Sequence, residues 1–206
     1  MITRLAEVLG RVVSRETTDR LDAYERLLRD EASRQNLISA STLDHLFERH
    51  ILDSAQLVRF AADPAASWAD IGSGAGLPGI VIAALSAGPV VLIEPRRLRA
   101  EFLQRCVDAL DFGSRVSVAT AKVEKVTGTF DVLTARAVAN LDRLLGISTH
   151  LSTTKSLWVL PKGRSAQSEL AEAQRNWHCD ATSHPSCTDP ESEIVVLRNV
   201  RARGGR

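Results

Sequence analysis

The chain has little cysteine, almost no net charge and no long apolar run. Three cysteines in 206 residues, Cys106, Cys179 and Cys187, are too few and too scattered for a disulfide framework. No apolar stretch approaches the roughly 18–20 residues that cross a bilayer. The start, Met1-Ile2-Thr3-Arg4-Leu5, lacks the apolar centre of a secretory signal, and Glu7 interrupts it early. These absences predict a cytoplasmic protein with no membrane partner. Lys and Arg total 26 against 25 acids, a net charge of +1, which argues against a uniformly basic nucleic-acid binder. What is present is ordinary for a globular chain: 44% apolar and 25% charged residues. That length suits one compact domain with a helical extension, and its core needs no disulfide or structural metal.

Periodicity divides the chain at about residue 64. In residues 1–64, Leu5, Val8, Leu9, Val12 and Val13 recur at helical spacing, as do Leu21, Tyr24, Leu27 and Leu28. Ser41 and Asp44 form an S-x-x-D start signal for a third helix through His45 to Phe60, closed by Asp63-Pro64. In residues 65–206 the period changes to short apolar runs alternating with helical stretches. Strands are expected at Trp68–Ile71, Val90–Glu94, Val116–Ala119, Phe130–Thr134 and Ser156–Leu160. Helices are expected near Gly79–Ala87, Arg97–Leu110, Leu141–Leu151 and Ala166–Trp177. The alternation implies an α/β fold with a doubly wound, mostly parallel sheet. Cys179–Thr182 and Glu193–Val200 read as a terminal hairpin, and residues 201–206 as a frayed end.

The first strand runs into Asp70-Ile71-Gly72-Ser73-Gly74-Ala75-Gly76-Leu77-Pro78-Gly79. Gly72, Gly74 and Gly76 let the backbone approach a ligand closely, but Leu77 stands where a dinucleotide-binding loop carries its third glycine. Glu94 ends the second strand 22 residues after Gly72, where a carboxylate accepts both hydroxyls of a ribose. Asp70 is suited to the cationic methionine end. The set favours S-adenosylmethionine (SAM) over NAD, because a pyrophosphate needs an open helix N-terminus and Pro78-Gly79 complicates that entry. A plain tight turn is the bland alternative. Val123 and Glu124, just past the third strand, border an adenine in this architecture. Arg136 lies beyond the carboxyl end of the fourth strand, where reacting groups gather in open α/β sheets.

The residues after the fourth strand, Thr134-Ala135-Arg136-Ala137, lack the Asn/Asp-Pro-Pro-aromatic tetrad used to methylate exocyclic amines. No cysteine sits where a pyrimidine C5 methyltransferase needs its nucleophile. A substrate that is already nucleophilic fits better: guanine N7 has a free lone pair, carries no proton and needs mainly positioning. Charge is segregated along the chain. Residues 1–31 sum to −1, residues 96–105 to +3, and residues 198–206 to +4. Arg96 and Arg97 open a helix, a poor place for cations on dipole grounds, so they ask for a partner such as RNA phosphate or neighbouring acids. Lys162 and Arg164 extend the basic rim after the fifth strand. His178, Cys179, His184 and Cys187 have spacing unlike a zinc site, and no metal is expected.

Several of these stretches together resemble the RsmG (GidB) family of small-subunit rRNA guanine-N7 methyltransferases. They are Asn36-Leu37-Ile38-Ser39, Arg49-His50-Ile51-Leu52-Asp53-Ser54, the Asp70–Gly79 loop, Leu133–Ala139 and Lys162-Gly163. The likeness runs from about residue 20 to 175. It implies a Rossmann-like SAM-dependent methyltransferase, with SAM contacts at Gly72, Leu77, Val123, Glu124 and Arg136 and the ribose position at Glu94. It implies RNA-facing residues at Arg49, His50, Arg136 and Lys162. Arg136 and Lys162 would orient the target base, with no general base. The implied substrate is a guanine in the decoding-region (530) loop of 16S rRNA, within the small subunit or its assembly intermediate, and a monomer is expected. The rival readings are a SAM-dependent methyltransferase of a small metabolite and a non-catalytic SAM- and RNA-binding module. His50 and Asp53, three apart, also read as a polar pair on one helix.

Overall fold

The computed structural model describes residues 1–204. Two helices come first, α1 (Ile2–Leu9) and α2 (Arg15–Ala32). Gly10 closes α1 in the left-handed conformation (φ 65°). The Ser14 hydroxyl caps α2 by accepting from the Thr17 N–H at 3.1 Å. Leu5, Val8, Leu9, Leu21, Tyr24 and Leu28 join the hydrophobic cluster that covers one face of the sheet. The arginines and acids of α2 instead pair along its outer surface, as Glu25 with Arg29 and Asp30 with Arg34 do.

The expected third helix is not regular. It breaks into a 3-10 turn (Ala40–His45), a π turn (Phe47–Leu52), a short α turn α3 (Asp53–Ala55) and a second 3-10 turn (Gln56–Phe60). Leu46, Ile51, Leu52, Ala55 and Leu57 are all buried, so apolar spacing alone reads as continuous helix. The wider π turn leaves Arg49 exposed and His50 half-buried at one rim of the sheet. Ser41 does not cap a helix; its hydroxyl meets that of Ser39 at 2.6 Å.

The sheet holds β1 (Trp68–Ile71), β2 (Val90–Ile93), β3 (Val116–Ala119), β4 (Val132–Ala135), β5 (Leu157–Lys162), β6 (Trp177–Pro185) and β7 (Glu193–Ala202). Their order is β3-β2-β1-β4-β5-β7-β6, with β1–β5 parallel and β7 antiparallel to both neighbours. Helices α4 (Gly79–Leu85), α5 (Arg97–Ala109), α6 (Leu141–Ser148) and α7 (Ala166–Asn176) connect the parallel strands and the hairpin. Strand alternation assigns the faces: Trp68, Leu92, Val132 and Val159 face the core under α1, α2, α4 and α5. Ala69, Ile93, Leu133, Trp158 and Leu160 face the core under α6 and α7. Burial on both faces explains why the parallel strands are near-continuous apolar runs. The direction of winding reverses between β1 and β4, the switch point at which open α/β sheets bind ligands.

The chain end differs from the expected fraying. Arg201 pairs with His178 and Ala202 with Trp177, and the Arg203 N–H donates to the Asn176 carbonyl at 2.7 Å. Arg206, counted with the basic tail, lies outside the described residues.

Candidate active site

The glycine loop is shaped by its own backbone bonds. The N–H groups of Gly72 and Ser73 both donate to the Ile93 carbonyl, at 2.8 and 3.0 Å, joining the loop to the end of β2. Gly72 (φ 71°) admits a close neighbour: a Cβ there would lie 2.6 Å from Cγ2 of Val138. Val138 is brought over it by a turn at Ala137, itself left-handed (φ 56°). From below, the buried Tyr24 hydroxyl donates to the Ala75 carbonyl at 2.8 Å, so α2 holds the loop directly.

Asp70 shares a strand face with Trp68 and points under α4. Its Oδ2 accepts the Gly79 N–H at 3.0 Å, and a Cβ on Gly79 would lie 2.5 Å from that oxygen and 2.3 Å from Leu92. The first donor of α4 is therefore taken by a carboxylate of the chain itself. Asp70 Oδ1 is buried and has no partner among the described residues. Burial pushes the Asp70 pKa up to about 6, against the lowering effects of the Gly79 N–H and of the Arg136 charge.

Glu94 is 3% exposed and fastens two segments. Its Oε2 accepts the Gly74 N–H at 2.9 Å and its Oε1 the Arg96 N–H at 2.8 Å. Each carboxylate oxygen keeps a further lone pair for a hydroxyl donor. Gly72, Glu94, Arg96, Val123, Glu124 and Val138 line one cleft of about 340 Å³ at the carboxyl ends of the strands. The expected residues Asp70, Gly74, Gly76, Leu77 and Arg136 do not line it. A Cβ on Gly76 would meet Ile80 and Tyr24, and Leu77 is 3% exposed in the core. Arg99, from the basic stretch 96–105, belongs to the cleft too, as do Pro95, Lys122 and Arg143, for which the sequence offered no signal beyond their nearness to Glu94, Val123 and Leu141.

Across the switch point, two side chains of the distant Ala40–Phe60 segment converge on Arg136. Its Nη1 donates to His50 Nδ1 at 3.2 Å and lies 3.6 Å from Asp53 Oδ2. With Nδ1 accepting, the neutral imidazole carries its proton on Nε2 and donates it to the Thr42 hydroxyl at 2.9 Å. Burial, then the charges of Arg136 and Arg49, lower the His50 pKa to about 4, so the ring is neutral near pH 7. His50 and Asp53 do not bond each other; both meet Arg136. Sequence reading had Asp53 only as a polar partner of His50, and it did not single out Gln56 and Thr188, which bond Asp53 Oδ1. Asp53 was visible within Arg49–Ser54, whereas its partners were not.

The remaining basic residues are engaged to different degrees. Lys162 turns inward: its side chain is 11% exposed, and its ammonium donates to Glu169 at 2.8 Å and to the Ala139 carbonyl at 3.3 Å. Glu169 also accepts the Leu141 N–H at 3.0 Å, so this pair anchors the loop after Arg136 instead of facing solvent. Arg49 lies 3.4 Å from Asp189, and Arg164 pairs with Glu191, both acids of the β6–β7 loop. Arg96 and Arg97 are exposed, with Arg97 3.4 Å from Glu101.

A doubly wound sheet ending in an antiparallel hairpin, with a glycine loop and a buried carboxylate at the switch point, defines the Rossmann-like methyltransferase class. A ribosomal protein L11 methylase from Lactobacillus delbrueckii subsp. bulgaricus superposes with TM-score 0.58 at 14% identity, over 73% of this chain and 79% of that one. The M. jannaschii TYW2, solved in complex with AdoMet, superposes with TM-score 0.56 at 13% identity, over 75% and 76%. These likenesses establish the fold. Residues 17–195 match the family model GidB, rRNA small subunit methyltransferase G. The ribosomal RNA small subunit methyltransferase G of Zymomonas mobilis is 44% identical over 200 residues, 93% of this chain and 90% of its own length. The chain belongs to the GidB family.

Proposed function

We propose that this chain transfers the methyl group of SAM to N7 of a guanine in the decoding-region (530) loop of 16S rRNA, within the small subunit or an assembly intermediate. Family membership supports the substrate class. The observation that carries the chemistry is the state of the rim. The imidazole beside Arg136 is neutral and has both nitrogens engaged, and Asp70 is sealed beneath α4. Such a rim orients a nucleophile and is not arranged to remove a proton from one. Guanine N7 requires only orientation.

The cleft fits SAM on the chemistry of its donors and acceptors. Glu94 would accept the ribose hydroxyls, Val123 and Glu124 would border the adenine, and the backbone at Gly72 and Gly74 permits close approach. Asp70, sealed beneath α4, would act on SAM only indirectly, by holding the Gly79 end of the glycine loop. Bound SAM supplies a methyl group on a positively charged sulfur, already activated for attack. The chain's own work is then positional. Arg136, held at Nη1 by His50 and Asp53, holds the base or its flanking phosphate in line. Lys162 acts through Glu169 and Ala139 by fixing the loop that follows Arg136. Arg96 and Arg97 hold phosphates at the outer edge, and Arg49 and Arg164 do so once RNA displaces Asp189 and Glu191. No helix among the described residues is long and apolar enough to cross a membrane, and a ribosomal substrate implies a cytoplasmic location.

Incubation with labelled SAM and small-subunit particles from a strain lacking this methylation tests the reading. Label mapped to N7 of one guanine in the 530 loop is the expected result. Label on a small-molecule extract alone, or particle binding without label, would overturn it.

A further inference from the structure

The loop between β6 and β7 docks on the short turns Asp53–Ala55 and Gln56–Phe60, more than 130 positions away in sequence. The Thr188 hydroxyl donates to Asp53 Oδ1 at 2.8 Å, and Gln56 Nε2 donates to the same oxygen at 3.0 Å. Gln56 is held in turn: its Nε2 reaches the Ser186 hydroxyl at 3.0 Å and its Oε1 accepts the Cys187 N–H at 3.0 Å. Gln56 and Ser186 are 3% and 9% exposed, so this is a buried, mutually satisfied network. One oxygen of Asp53 is thus committed to neutral donors. The other, Oδ2, is left facing the Arg136 guanidinium.

An arginine on a long stem holds a target only when its head is fixed beforehand. We propose that Asp53 is the residue that positions Arg136 for methyl transfer, and that Thr188 and Gln56 hold Asp53 for this purpose, which makes the β6–β7 loop part of the catalytic apparatus. The inference rests on the functional reading above, in which Arg136 orients the RNA. Neutral His50 contributes the second fixed acceptor. Both groups meet the same nitrogen, Nη1, so together they fix where one end of the guanidinium sits, whereas either alone would leave it freer to move.

Thr188→Val removes the hydroxyl with little change of shape, and Thr188→Ser keeps it. Both are assayed as full-length protein with labelled SAM and the unmethylated particles, alongside SAM affinity by calorimetry and Tm. The Val variant is expected to lose about tenfold in kcat with SAM affinity and Tm unchanged, and the Ser variant to return within about twofold of wild type. Asp53→Asn keeps the acceptor for Thr188 but discards the charge facing Arg136, and is expected to lose about a hundredfold. Wild-type turnover in Thr188→Val or Asp53→Asn overturns the proposal. So does a loss in Thr188→Val matched by lower Tm and weaker SAM binding that Ser does not restore, because that is the signature of a purely structural bond. Wild-type protein that leaves the particles unlabelled overturns the functional reading, and this role falls with it.

Discussion

On the β1–β2 side of the switch point, the cleft is shaped by backbone. Gly72 and Ser73 bond the end of β2, Gly74 and Arg96 offer their N–H groups to Glu94, and Gly79 offers its own to Asp70. On the β4–β5 side, the rim is shaped by side chains: Arg136 to His50 and Asp53 and Arg49 to Asp189 across long sequence separations, and Lys162 to Glu169 seven residues on. The first half suits a small ligand that must sit the same way each time. The second sets a held Arg136 beside an exposed, exchangeable pair at Arg49, which suits a polyanion that arrives and leaves.

Substitutions separate the two halves. The largest effect is expected from Gly74→Asp, which sets a second carboxylate beside the buried Glu94. SAM binding should fall at least a hundredfold by calorimetry, and unchanged affinity would remove the loop from the site. Arg136→Ala, on the other half, should cost about a hundredfold in kcat/KM for the particles while SAM affinity stays within about threefold. Equal losses of both would erase the division drawn here.

Acidity probes the same contrast through folding. Asp70 is shifted up to about 6 from 3.8, so its ionisation opposes the fold, and this cost grows as pH rises from about 4 to 6. His50 is shifted down to about 4 from 6.5, so its protonation opposes the fold, and this cost grows as pH falls from about 6.5 to 4. The two slopes oppose each other in the native protein. Asp70→Asn should therefore gain Tm relative to wild type as pH rises through that window, by up to ~3 kcal/mol of stability. His50→Gln should gain as pH falls. Parallel Tm curves for wild type and variants would refute this.

A smaller effect is expected at Tyr24→Phe, which strands the buried Ala75 carbonyl. Chemical denaturation should show a loss of about 1–2 kcal/mol. The smallest is expected at Arg97→Ala, which should weaken particle binding about two- to threefold and reduce its salt slope by about one. A loss confined to SAM binding would move Arg97 out of the RNA surface.

The same contrast governs how much of the molecule was legible in its sequence. Strands β1–β5 fall within a residue or two of expectation, because burial on both faces writes them as apolar runs. At β4, Phe130 and Asp131 drop out as Asp131 turns its carboxylate to Ser67. The grouping of Gly72, Glu94, Val123 and Glu124 was readable, since the strand order brings strand ends together whatever the intervening helices are. The Ala40–Phe60 segment was misread because irregular turns bury the same apolar residues as a helix would. The inward course of Lys162 and the docking of Thr188 on Asp53 left no local trace. Each depends on a partner that only the tertiary fold delivers.

The contact between Asp70 and Gly79 bears on how cofactor preference arises. The chain supplies its own anion to the opening turn of α4, so that turn is already answered before any nucleotide approaches. A phosphate arriving there would find the Gly79 N–H already taken, without any repelling group at the surface. Converting this scaffold to a dinucleotide would thus begin with removing an internal mimic, and adding new recognition groups around the cleft would fail while that mimic stayed in place.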